Sequence, residues 1–139
     1  MPAGEYTVNT TARPILLIDD HDDTRSLLLE LLVLDGFRVV ALGTGSEALA
    51  LAPTLPPPCL ALLDLGLPDM SGIDLAARLR ELPGLGETPL FALSGSPHLR
   101  GRALAAGFDG FLLKPVLRDE LRLVLDGHCA RDTRDERVA

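Results

Sequence analysis

Five short apolar runs fix most of what this chain can fold into. They are residues 15–18 (ILLI), 38–42 (RVVAL), 60–63 (LALL), 90–93 (LFAL) and 111–113 (FLL). None alternates apolar with polar. A strand with one wet face would alternate, so these runs read as strands covered on both faces, the condition of a parallel sheet. Four of the five end on a residue with chemistry of its own. Asp19 and Asp20 follow the first run, Asp64 the third, Ser94 the fourth and Lys114 the fifth, while the second ends in Leu42-Gly43.

The intervening segments carry helical spacing and helix punctuation. Asp22 is placed to cap a helix with Leu27, Leu28, Leu31 and Leu32, ended by Gly36. Thr44-Gly45-Ser46-Glu47 has the form of a capping box before a short helix that Pro53 and the run Pro56-Pro57-Pro58 stop. Ser71 opens a third helix with Leu75, Leu79 and Leu82. Pro97 fits the first turn of a fourth, with Ser96 as its cap and Gly107 as its end. Leu121, Val124 and Leu125 mark a fifth over residues 118–126. Five strand–helix units imply an α/β fold: a five-stranded parallel sheet, helices on both faces, right-handed crossovers. Residues 1–13 and 128–139 lack such patterning and read as tails around one domain at 14–127.

Composition narrows the function classes. The 139 residues are 47% hydrophobic and 24% charged, enough for one ordinary core. Thirteen Lys+Arg against twenty Asp+Glu, a net charge of -7, argue against nucleic acid as a partner. No apolar run reaches membrane-span length and no signal-like segment opens the chain, so a cytoplasmic, reducing setting without membrane contact is expected. The two cysteines, Cys59 and Cys129, fit no CxxC or Cys/His cluster. Neither a disulfide scaffold nor a zinc site is expected.

Ligands of open α/β sheets bind beyond the carboxyl ends of the strands. With strand order 2-1-3-4-5, Asp19, Asp20 and Asp64 converge on one cleft, with Ser94 and Lys114 beside them. Three carboxylates repel unless a cation intervenes. Mg²⁺, a hard ion that takes oxygen ligands, fits. Carboxylate, Mg²⁺, lysine and hydroxyl together suit phosphoryl chemistry, with an aspartate as nucleophile.

Taken in order, Asp19-Asp20, the loop Asp64-Leu65-Gly66-Leu67-Pro68-Asp69-Met70-Ser71-Gly72, Ser94-Gly95 and Lys114-Pro115 resemble the CheY-like receiver domain of two-component response regulators. The resemblance spans residues 13–127. It implies the flavodoxin/CheY-like fold and a function as phosphoacceptor for a histidine kinase or phosphotransfer protein. By the same resemblance, Asp64 takes the phosphoryl group. Asp20, Asp64 and the Gly66 carbonyl hold Mg²⁺, and Asp19 holds it through water. Lys114 pairs with the phosphoryl group, Ser94 and Phe111 are the switch pair, and the Lys114–Pro115 bond is cis. The output face, on the fourth helix, fifth strand and fifth helix, meets a downstream protein. The domain promotes only its own phosphorylation and dephosphorylation and is not otherwise an enzyme. The Asp-Leu-Gly-Leu-Pro loop leans toward receivers attached to hybrid histidine kinases.

Plainer readings stand beside these. Phe111 fits ordinary core, and Gly43-Thr44-Gly45 is a turn rather than a phosphate loop. His21, His98 and His128 are isolated; His21 adjoins the acidic pocket, where tuning of metal binding stands as the alternative to the preferred reading, a solvated loop residue. Gly66 and Gly95 leave the cleft without side chains at two positions that influence phosphoryl lifetime in the family. Gly101 weakens the fourth helix by ~1 kcal/mol, which reads as a loosely held helix. Leu117 leaves the fifth helix without a side-chain cap. Two alternatives remain: a phosphate-independent protein-binding receiver module, and a small Mg²⁺-dependent phosphatase with an aspartyl nucleophile. The phosphatase is disfavoured because Gly66 stands where its general acid would be.

Overall fold

The computed structural model describes residues 13–130, so most of both tails lies outside the described residues. Five strands form one parallel sheet in the order β2-β1-β3-β4-β5. They are β1 (Ile15–Ile18), β2 (Val39–Leu42), β3 (Leu60–Asp64), β4 (Leu90–Ser94) and β5 (Gly110–Leu113). The helices are α1 (Asp22–Leu34), α2 (Gly45–Leu51), α3 (Gly72–Arg80), α4 (Arg100–Ala105) and α5 (Arg118–Asp126). Single 3-10 turns follow α2 at Ala52–Thr54 and precede α4 at Pro97–Leu99.

The unalternated runs are explained by two apolar layers. Successive side chains of a strand point to opposite faces. In β1, Leu16 and Ile18 join a cluster with Leu63, Leu75, Leu79, Ala103 and Phe111, on the side of α2, α3 and α4. Ile15 and Leu17 join Leu28, Leu32, Leu62, Leu121 and Leu125, on the side of α1 and α5. Both faces of β1 are therefore dry, and all four of its residues are fully buried.

Helix ends follow the sequence signals in part. Thr44 Oγ1 accepts the Glu47 N–H at 3.1 Å, and Ser71 Oγ accepts the Asp74 N–H at 3.0 Å. Gly36 and Gly107 take positive φ just past α1 and α4. Two caps differ from expectation. His21, not Asp22, is the N-cap of α1 and makes no capping bond, because Asp22 lies inside the first turn and pairs with Arg25 at 2.6 Å. Ser96 precedes the 3-10 turn without capping it. α5 starts at an uncapped Leu117, and its first-turn Arg118 pairs with Asp35 at 2.7 Å.

The cysteines also correct the sequence reading. Cys59, just before β3, is bonded to Cys129, just after α5. Both are buried. The signal was invisible locally because the partners are 70 residues apart and meet only when α5 returns along the sheet. His128 and Cys129 therefore belong to the folded body: the His128 ring meets Phe91 edge-on at 5.6 Å.

Candidate functional site

The register of the sheet assembles the site. Ile18 pairs with Leu63, Asp64 with Leu93, and Ser94 with Leu113. The residues at and just after these strand ends are therefore Asp19, Asp64, Ser94 and Lys114, side by side. The Lys114 N–H donates to the Ser94 carbonyl at 2.8 Å, which holds the β5 exit against β4. The Lys114–Pro115 bond that follows is cis.

Lys114 Nζ sits 2.9 Å from Asp19 Oδ2 and 3.0 Å from Asp64 Oδ2. Asp64 Oδ1 accepts the Gly66 N–H at 2.9 Å. Asp19 is fully buried, and its Oδ1 accepts the His21 N–H at 2.9 Å. The Arg25 guanidinium donates to the Asp19 carbonyl at 2.8 Å, fixing the loop after β1. Asp20 Oδ1 is buried with no hydrogen-bond partner. Asp64 opens on a cleft of ≈ 400 Å³, also lined by His21, Thr24, Gly66, Ser94 and Lys114.

Electrostatics separate the two buried acids. Burial pushes the Asp19 carboxyl above its ordinary value, and its bond to Lys114 only partly offsets this. Burial also pushes on Asp64, but the Gly66 N–H and the Lys114 ammonium outweigh it and hold Asp64 below the usual carboxylate range. Asp64 is thus kept as the anion, the form that attacks an electrophile. Burial disfavours charge on Lys114 too, yet the two aspartates overcome it and the ammonium is held more strongly than usual.

Ser94 is buried at the cleft edge, where its Oγ accepts the Ser96 N–H at 3.0 Å. Phe111 is buried in the layer beside α4, with the Arg100 guanidinium 5.6 Å above its ring. Sequence reasoning weighed one contributor the other way and missed a second. His21, read as solvated, turns Nδ1 toward all three acids at 3.3–3.5 Å although most of its ring is exposed. Asp69 reaches from the loop after β3 to the start of α2, accepting from the Gly45 N–H, the Ser46 N–H and the Ser46 hydroxyl at 3.0, 2.8 and 2.6 Å. Asp69 carried no local signal, since the helix it caps begins 24 residues earlier.

The family model described as the response regulator receiver domain matches residues 15–126. The chain belongs to that family. It is 40% identical over 127 residues to the sensor histidine kinase AruS of Pseudomonas aeruginosa, covering 84% of this chain and 12% of the kinase. It is 37% identical to the transcriptional regulatory protein KdpE of Mycobacterium tuberculosis, covering 86% of this chain and 52% of KdpE. The receiver domain of the Pseudomonas aeruginosa sensor histidine kinase PA1611, solved with magnesium in its active-site cleft, superimposes with a TM-score of 0.77. That comparison has 26% identity and covers 85% of this chain and 98% of that one. The chain is thus a receiver domain of the two-component response regulator type, with the flavodoxin/CheY-like sheet order that its sequence implied. Among the described residues, no helix is long and apolar enough to cross a membrane.

Proposed function

We propose that Asp64 of this receiver takes a phosphoryl group from the phosphohistidine of a histidine kinase or phosphotransfer protein. One observation carries the assignment: Asp64 is a buried carboxylate held as the anion, open to the cleft, with Lys114 Nζ 3.0 Å away. In the transfer, an Asp64 oxygen forms the new P–O bond as the donor's P–N bond breaks. The imidazole leaves with the electron pair and takes up a proton. Lys114 offers a cation to the incoming phosphoryl oxygens.

The residues present fit Mg²⁺. Three carboxylates gather with only two of them paired to Lys114, and Asp20 Oδ1 is a buried acceptor without a hydrogen bond. Asp20, Asp64 and the Gly66 carbonyl would hold the ion, with Asp19 behind them; when bound, it neutralises phosphoryl charge. Ser94 would exchange its bond to the Ser96 N–H for one to the phosphoryl group, and Phe111 would report the change to α4, β5 and α5, the face offered to a downstream protein. The relatives include kinases such as AruS and PA1611 and a transcriptional regulator, KdpE, so the kinase-attached reading of the loop stands as one of two arrangements. A cytoplasmic location fits this role; the Cys59–Cys129 bond would there face a reducing thiol pool.

Intact mass after treatment with acetyl phosphate and Mg²⁺ tests the assignment. Wild type should gain a single labile phosphoryl group and Asp64→Asn none. Absence of the adduct from a Mg²⁺-binding protein would overturn it in favour of phosphate-independent binding. Steady turnover of a phosphate ester would instead favour the phosphatase alternative.

A further inference from the structure

The His21 ring makes one long hydrogen-bond contact, Nδ1 to Asp19 Oδ1, yet it faces two further carboxylates. Its Nδ1 lies 3.3 Å from Asp19 Oδ1, 3.4 Å from Asp20 Oδ1 and 3.5 Å from Asp64 Oδ2. A single ring N–H cannot serve three acceptors, so its bond to Asp19 leaves the approach to Asp20 and Asp64 unexplained. These distances match another geometry. Ligand atoms about 2.1 Å from a shared ion stand about 3.0 Å apart across an octahedral edge and about 3.4 Å across a tetrahedral one. Nδ1 thus stands from the oxygens of Asp20 and Asp64 at the spacing of neighbouring ligand atoms, with Asp19 close behind.

The backbone holds this arrangement. The His21 N–H is tied to Asp19 Oδ1 at 2.9 Å, and Arg25, one turn into α1, is tied to the Asp19 carbonyl at 2.8 Å. Nδ1 faces the acids while most of the ring lies in solvent, so Nδ1 is the ring nitrogen placed to meet a cation held there.

We propose that His21 converts the acidic cleft of this receiver into a mixed oxygen–nitrogen site. Its Nδ1 ligates divalent transition ions such as Mn²⁺, Ni²⁺ or Zn²⁺, so the cleft prefers them beyond what carboxylates alone would give. Imidazole suits these ions, whereas Mg²⁺ takes oxygen. The inference rests on the reading that the cleft holds a divalent cation, and the experiment separates the two.

Mn²⁺ is the direct probe. Pulsed electron paramagnetic resonance of the Mn²⁺-loaded protein should show coupling to an imidazole nitrogen, shifted by ¹⁵N-histidine labelling and lost in His21→Asn. Removing the ligand should also lower the ratio of Ni²⁺ to Mg²⁺ affinity, measured by titration calorimetry, by roughly tenfold or more, since even outer-sphere partners of a metal are worth that much. Mn²⁺ binding without nitrogen coupling overturns the proposal and leaves the cation cleft intact. Failure of Mn²⁺ and Mg²⁺ alike to bind overturns both. The labelled wild-type spectrum decides the matter even if the variant folds poorly.

Discussion

Reducing the Cys59–Cys129 bond should weaken the fold by an amount set by the loop it closes. The partners are 70 residues apart, about half the chain. The chain-entropy model gives about 4 kcal/mol for a loop of that length, and typical disulfides deliver about 2–4. Both sulfurs are buried, and after moving apart to van der Waals contact each thiol remains a small apolar group in the same layer. The loss is therefore one of restraint on the unfolded chain, expected at about 2–4 kcal/mol of a total near 5–15. Urea unfolding of oxidised and reduced protein measures it, with intact mass confirming a difference of two hydrogens. The reduced form should have a lower midpoint, and Cys59→Ala should be insensitive to reductant. Superimposed curves for the two forms would refute the entropic reasoning. Two free thiols after exposure to an oxidised low-molecular-weight disulfide would refute the pairing itself.

Other substitutions probe the loops around the cleft. A Cβ on Gly72 would stand 2.4 Å from the Asp64 carbonyl oxygen and 2.7 Å from Leu65 Cα, both backbone atoms. Gly72→Ala should therefore cost about 1–3 kcal/mol in denaturant unfolding and slow acetyl-phosphate labelling of Asp64. Asp69 is held down to about 2 by the Ser46 hydroxyl and the Gly45 and Ser46 N–H groups. Because its folded value lies below the unfolded one, its contribution is complete above the ordinary carboxylate range and fades as pH falls toward about 2. Carboxyl NMR should place its midpoint there, and Ser46→Ala should raise it. Gly101→Ala meets nothing within 4 Å and should raise the melting temperature by strengthening α4, by up to about 1 kcal/mol. Leu117→Asp should supply the missing cap of α5, with a gain of about 1 kcal/mol in the same assay.

What was legible in the sequence was what repeats locally. The β1 run ILLI and the caps Thr44 and Ser71 carry their own signals within a few residues, and strand ends marked by Asp64 and Lys114 need only the sheet order to meet. What was hidden depends on distant partners. Asp69 caps a helix that precedes it, Cys59 finds Cys129 through the return of α5, and the ring of His21 is aimed by the Asp19 carboxylate on which its own backbone rests. Ser96 misled for a related reason: Ser94, two residues earlier, already holds the N–H of Ser96, and the chain then turns as a 3-10 helix.

The proposed switch works on small energies, and the structure of α4 agrees with that. Ser94 gives up one neutral hydrogen bond, worth about 0.5–1.5 kcal/mol, for one to a charged phosphoryl oxygen, worth about 1.5–3. The surplus is about 1–2 kcal/mol, which shifts an equilibrium roughly five- to thirtyfold. So small a bias acts on output only if the two positions of the neighbouring segment are already close in energy. α4 has six residues, no side-chain cap and a glycine in open space. A helix so lightly held is one that a single hydrogen bond can move. Strengthening it with Gly101→Ala should then uncouple the two ends of the switch. Phosphorylation of Asp64 would proceed, while the phosphorylation-dependent change in amide exchange across residues 98–106 would shrink. An undiminished change in the variant would show that α4 moves as a rigid unit and that its looseness is incidental.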